Sequence, residues 1–215
     1  MTVKHLHAQD SPHSLPRPEC ALTDPDGLLA VGGSLSPPWL THAYAQATFP
    51  WYPEDSAILW WSPSRRAVFT RDQFKQRRSL LKQMRRLNVT VAINHNFETV
   101  MRLCRDCHLS GGVWIHDDVI RAYTQLHRHQ RAHSVEVYQG HTLIGGVYGV
   151  QINGVFFAES MFSLVPNASK MALMALIDGQ LDSAIDWVDA QFMTDHLASL
   201  GAFMLSRTAL LSALG

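Results

Sequence analysis
Three consecutive segments, 134–138, 142–150 and 155–161, dominate what this chain can fold into. Each is rich in β-branched and aromatic residues, and short links with turns at Gln139-Gly140-His141 and Asn153-Gly154 connect them. Links so short join antiparallel neighbours, so the three form a meander. Further strands are expected at 58–61, 67–69, 89–93, 185–190 and 202–205. A short extended piece, Val113-Trp114-Ile115, follows Gly111-Gly112.

Helical spacing of apolar residues marks Trp39 to Tyr44, Phe74 to Met84, Phe97 to Cys104, Val119 to Leu126 and Met171 to Ile177. Asp117 and Asn167 stand where they can cap the last two of these helices, and Gly201 ends a helical turn begun at His196. Strands that form one sheet, with helices between them, imply an α+β architecture: a mixed sheet with flanking helices. The Pro-rich stretch 1–20 reads as a loose arm. The best boundary divides a small N-terminal domain, 1–62, from a larger one, 63–215.

Nearly half of the 215 residues are apolar, enough for a sizeable core. No apolar run approaches the roughly 18 residues of a membrane span, and the polar start lacks a secretory leader's apolar stretch. A cytoplasmic protein without membrane contact is the expectation. The net charge of zero conceals an uneven distribution. Between Arg65 and Arg86 there are nine basic residues (Arg65, Arg66, Arg71, Lys75, Arg77, Arg78, Lys82, Arg85, Arg86) against Asp72 alone. From Gly154 onward, six acids face only Lys170 and Arg207. The first stretch suits phosphates and the second a cationic substrate, although solvated helix faces explain such runs equally well.

Several chemistries leave no mark. The chain has no G-x-G-x-x-G, no P-loop and no G-x-S-x-G. Cys104-Arg105-Asp106-Cys107-His108 has haem-attachment spacing, but two helical cysteines in a reducing compartment are the better reading. Neither a metal nor a cofactor is expected. Two features point instead to a site. Glu159 lies on the apolar strand Phe156-Phe157-Ala158-Glu159-Ser160-Met161, where a carboxylate is costly without a task. Asp189 and Gln191 stand two apart at a strand end and so share a face, a solvent-exposed end being the plainer alternative. Trp51, Tyr52, Trp60, Trp61 and Trp114 crowd near the basic segment, as core residues or as stacking surfaces for unpaired bases.

An ordered series of motifs ties these pieces together. It comprises Asp26-Gly27-Leu28-Leu29-Ala30-Val31-Gly32-Gly33, Phe49-Pro50-Trp51-Tyr52, Leu59-Trp60-Trp61-Ser62-Pro63, Trp114-Ile115, Ala132-His133-Ser134-Val135-Glu136-Val137, Gly145-Gly146-Val147-Tyr148-Gly149-Val150, Glu159-Ser160-Met161-Phe162-Ser163, Asn167-Ala168-Ser169-Lys170, and Asp189 with Gln191. The series resembles the leucyl/phenylalanyl-tRNA–protein transferase family over nearly the whole chain. Glycine is usual in that family where Ala47 and Ala158 stand.

The resemblance implies an acetyltransferase-like (GNAT) larger domain and transfer of leucine or phenylalanine, with methionine as a further donor, from aminoacyl-tRNA. The acceptors are proteins with N-terminal Lys or Arg, which are thereby marked for degradation, and the enzyme is expected to act as a monomer. It implies that Asp189 and Gln191 orient the attacking amine and handle its proton. Glu159, Phe156, Val147 and Leu176 would form or border the aminoacyl pocket. Trp51 and Trp114 would contact the terminal adenosine, and Arg66, Lys75, Arg77, Arg78, Lys82 and Arg85 the rest of the tRNA. The alternatives are leucyl transfer to N-terminal Asp or Glu, a GNAT-fold acyltransferase of other specificity, and a non-catalytic RNA-binding module. The second lacks its Q/R-x-x-G-x-G/A loop here, and an acidic C-terminal half disfavours the first.

Overall fold
The meander is the centre of a seven-stranded sheet in the computed structural model, which describes residues 2–107 and 114–215. The elements in chain order are β1 (Lys4–Leu6), β2 (Leu28–Gly32), α1 (Pro37–Tyr44), β3 (Phe49–Pro50), β4 (Leu59–Trp61), β5 (Arg65–Phe69) and α2 (Arg77–Leu87). Then come β6 (Val89–Ile93), α3 (Phe97–Cys107), α4 (Asp117–Arg128), β7 (Ala132–Gln139), β8 (Thr142–Ile152) and β9 (Val155–Ser163). The chain closes with α5 (Ala168–Ile177), β10 (Trp187–Asp189), α6 (Asp195–Leu200), β11 (Phe203–Ser206) and α7 (Arg207–Leu214). The large sheet has the order β11-β5-β10-β9-β8-β7-β6, and a second sheet has the order β1-β2-β4-β3. The α+β expectation holds, with two sheets rather than one. Gly111-Gly112-Val113 and His108 of the Cys-x-x-Cys-His motif lie outside the described residues.

Each face of the large sheet buries its own core. Tyr148, Val150, Phe157 and Phe162 pack with α1, α3, α4 and the small sheet. Val135, Val137, Val147 and Phe156 pack with α5 and with Leu80 of α2. Alternation along β7 and β8 directs successive side chains to opposite cores.

The first twenty residues are not a loose arm. β1 pairs in parallel with β2, and Leu6, Leu15 and Pro18 are buried. Short-range pattern does not reveal this, because a three-residue strand carries no readable period. The final helix α7 also escapes the sequence reading; Ser206 caps it by accepting from the Ala209 N–H at 3.2 Å. His116 rather than Asp117 is the N-cap residue of α4. Asn167 sits at the N-cap of α5 with φ of 72°, yet its side chain donates to Gln83 Oε1 at 2.9 Å instead of capping.

Candidate active site
β9 and β10 begin as parallel neighbours, with Trp187, Val188 and Asp189 opposite Val155, Phe156 and Phe157. β10 then ends while β9 runs on to Ser163, so the two part company and leave an opening. The opening is a cleft of about 360 Å³ lined by Val147, Glu159, Met161, Leu173, Gln191 and Phe192, with Trp51 and Trp114 among its other walls.

A β-bulge places Glu159 here. Tyr148 pairs with Ser160 and Gly149 with Ala158, so Glu159 is the extra residue on its strand. The bulge shifts the alternation by one. Phe157 packs on the α3/α4 side and Ala158 on the α5 side; beyond the bulge, Met161 packs on the α5 side and Phe162 on the α3/α4 side. Between them, Glu159 reaches Tyr123 of α4 and Ser160 reaches Cys104 of α3.

Glu159 is poorly satisfied. Its Oε2 accepts from the Tyr123 hydroxyl at 3.4 Å, and that hydroxyl is 2.5 Å from the hydroxyl of Tyr44. Oε1 is buried with no partner among the described residues, as is the Tyr148 hydroxyl. Burial pushes the carboxyl up to about 8, with the Asp189 charge adding to the rise against the pull of the tyrosines and Arg66. Burial likewise raises Tyr44, Tyr123 and Tyr148 well above the ordinary tyrosine value. Glu136 of β7 is the contrast: it is fully buried, but accepts from the Asn96 N–H at 2.8 Å and from the Ser134 and Tyr138 hydroxyls at 2.7 Å. One carboxylate is a finished structural element, and the other keeps an oxygen available at a cleft.

Gln191 lines the other side of the cleft, and Asp189 lies buried behind it. Asp189 is fully buried; its Oδ1 accepts from the Gln191 N–H at 3.0 Å and its Oδ2 from the Arg66 guanidinium. Burial raises its carboxyl, while Arg66 and the Gln191 amide pull it down. Gln191 has φ of 57°, a left-handed conformation held at both ends, since its carbonyl also accepts from the Ala67 N–H at 3.1 Å. Its Nε2 is buried and unpartnered among the described residues. Gln191 thus lines the cleft with an amide nitrogen that no group among the described residues engages.

The structure separates the sequence-derived site residues. Val147, Glu159, Gln191, Trp51 and Trp114 line the cleft. Phe156, Leu176 and Asp189 do not; all three are fully buried, while Met161 and Leu173 supply the wall. Arg66 does not face a nucleic acid. Its side chain is fully buried, donates to the Ala47 carbonyl at 2.7 Å and lies 4.9 Å from the Phe49 ring centroid. Arg77 is half-buried on Asp178, whereas Lys75, Arg78, Lys82 and Arg85 are exposed. Sequence pattern does not single out Phe192, which is 43 % exposed. It follows Gln191, and its ring lies 5.8 Å from that of Trp51, itself 45 % exposed. The tyrosines beneath Glu159 escape it too, as no local spacing joins α1, α4 and β8.

Residues 68–215 match the family model for leucyl/phenylalanyl-tRNA protein transferase, and residues 33–64 match the model for that family's N-terminal domain. A leucyl/phenylalanyl-tRNA–protein transferase of Hydrogenovibrio crunogenus is 48% identical over 198 residues, covering 91% of this chain and 77% of that protein. Its counterpart from Pseudoalteromonas atlantica is 43% identical over 210 residues, covering 97% and 90%. Among solved structures, L-PGS from Bacillus licheniformis is 11% identical, with a TM-score of 0.43 over 71% of this chain and 65% of that one. A TM-score that low carries no argument about fold or activity. The sequence matches define the class, an aminoacyltransferase. The chain belongs to the leucyl/phenylalanyl-tRNA protein transferase family.

Proposed function
We propose that the chain transfers leucine or phenylalanine from aminoacyl-tRNA to the N-terminal Lys or Arg of acceptor proteins, marking them for degradation. The observation that carries this reading is the cleft itself. It sets an apolar wall of Val147, Met161 and Leu173 against one carboxylate oxygen of Glu159 and the amide nitrogen of Gln191, both unpartnered among the described residues. An apolar aminoacyl side chain fits the wall, and the two polar groups remain for the reacting atoms.

In the reaction the acceptor's α-amine attacks the aminoacyl ester carbonyl. A C–N bond forms, the ester C–O bond breaks, and the terminal ribose hydroxyl leaves with the proton that the amine gives up. The ester is already activated, so positioning and oxyanion stabilisation supply most of the acceleration. Gln191 is too weak a base to take a proton outright, and its role is to hold the amine or the developing oxyanion through its free amide. Asp189 fixes Gln191 through the backbone N–H. Trp51 and Trp114 stack on the terminal adenosine, and Lys75, Arg78, Lys82 and Arg85 hold phosphates beyond it. Residues 63–215 form a GNAT-like unit on this reading, the parting of β9 from β10 supplying the acyl site, and residues 1–62 form the smaller domain. Among the described residues no helix is long and apolar enough to cross a membrane. The enzyme works as a cytoplasmic monomer.

Steady-state transfer of labelled leucine from leucyl-tRNA to a Lys-initiated peptide tests the proposal. Gln191→Ala is expected to lower kcat roughly a hundredfold with an unchanged thermal midpoint. Unimpaired transfer by that variant would remove Gln191 from the mechanism. No transfer by the wild type would overturn the function.

A further inference from the structure
A second pocket, of about 510 Å³, draws part of its wall from residues close in the chain to two that line the cleft. Trp51 and Trp114 line the cleft, and Tyr52 and His116 line this neighbour. Four carboxylates surround it: Glu54, Asp55, Asp117 and Asp118. Arg121 is the single Lys or Arg in its lining and is paired with Asp118, while Arg105 pairs with Asp117 from outside. Glu54 and Asp55 have no ion pair among the described residues and are exposed.

Acidity alone assigns nothing, but the floor adds an independent observation. His116 is 5 % exposed, lines the pocket, and has a buried Nε2 with no partner among the described residues. Its ring lies 5.1 Å from that of the buried Tyr52. A buried imidazole nitrogen left unmatched at the base of an acidic pocket is a hydrogen-bonding position that the protein leaves for a ligand. The carboxylates supply negative charge that attracts a cationic ligand, and the Tyr52 ring supplies a flat face.

We propose that this pocket is a subsite for a lysine or arginine side chain of the acceptor polypeptide. The inference rests on the transfer reaction described above and adds to it the place where a cationic acceptor is gripped. The pocket's sign disfavours the other macromolecular substrate, because Glu54 and Asp55, without ion pairs among the described residues, leave a net negative charge that repels phosphates. Tyr52 follows Trp51 and His116 lies two residues after Trp114, so the pocket flanks the cleft along both segments.

The experiment compares wild type with Glu54→Gln/Asp55→Asn/Asp118→Asn, three exposed substitutions that keep shape and remove charge. Transfer is measured with leucyl-tRNA and with peptides bearing one lysine at position 1, or that lysine plus a second at position 2, 3 or 4. In the variant, KM for peptide is expected to rise roughly five- to tenfold, with kcat and KM for leucyl-tRNA unchanged. A rise with every peptide places residue 1 in the pocket. Loss of only the advantage of a second lysine places that residue there. His116→Phe, which removes the free nitrogen and keeps the ring, is expected to raise the same KM. Unchanged peptide KM in both variants overturns the subsite, as does an equal rise in KM for leucyl-tRNA. Neither result touches the transfer reaction, which wild-type turnover reads separately. Free spermidine that binds wild type and the triple variant alike, without competing with peptide, also counts against it.

Discussion

Two carboxylates, Glu136 fully buried and Glu159 partly so, show how much one residue's meaning depends on its partners. Glu136 and Glu159 both lie on strands of the meander, yet only Glu159 stands out in sequence as a lone acid in an apolar run. Its exceptional character was therefore legible; its tyrosine partners, brought from α1, α4 and β8, were not. The pH dependence follows from the raised carboxyl. Glu159 titrates near 8 in the fold and near the ordinary 4.5 when unfolded. Between those values the folded state holds a proton that the unfolded state has lost, so rising pH erodes stability across that window and no further above it. Glu159→Gln removes this term while keeping a side chain that Tyr123 can reach. The thermal midpoint of the variant minus that of wild type is expected to grow from pH 5 to pH 8 and then level off. A difference independent of pH would show that Glu159 is already charged throughout.

At the level of elements, the sequence disclosed what period and turn chemistry encode. β6 falls on the expected 89–93, and the hairpins lie where Gly140 and Asn153-Gly154 allow them. The bulge was not legible, since a one-residue register shift alters no local pattern and emerges only when β8 and β9 are paired. Nor did composition distinguish the members of the basic run. Arg66 is on a central strand and buried, whereas α2 carries the exposed cations. On α2, Leu80 is buried and Met84 and Leu87 are partly so, which turns Arg78, Lys82 and Arg85 outward. Arg77 sits at the positive end of the helix and is compensated by Asp178. Replacing Arg78, Lys82 and Arg85 with glutamine is expected to raise KM for leucyl-tRNA. Its salt dependence is expected to flatten, the log–log slope falling by about 0.9 for each phosphate that is no longer neutralised. Transfer from leucyl-adenosine, which lacks the tRNA body, is expected to be unchanged. Equal loss with both donors would assign α2 a structural role instead.

Across the whole molecule, Arg66 is the point where the small sheet, the large sheet and the site meet. It lies on β5, donates to the Ala47 carbonyl that precedes β3, and pairs with Asp189 at the end of β10. Ala47 has φ of 50°, a conformation that favours glycine. A second link runs from Arg207 to the Ser62 carbonyl at 2.5 Å, but it is only partly buried. Removing one member of a buried pair leaves the other charged and dry, which costs about 3–5 kcal/mol, whereas replacing both with apolar groups is often neutral. Arg66→Met is therefore expected to lower unfolding free energy by about 3–5 kcal/mol, and Arg66→Met/Asp189→Leu to recover most of that loss. The double variant is nonetheless expected to transfer poorly, because Asp189 no longer holds the Gln191 N–H. Denaturant titration and steady-state transfer on the same preparations separate the two effects. If the double variant recovers neither stability nor activity, the pair is more than a pin between the sheets. Full activity in it would mean that Gln191 keeps its left-handed conformation without Asp189, and the positioning role would pass to the Ala67 N–H alone.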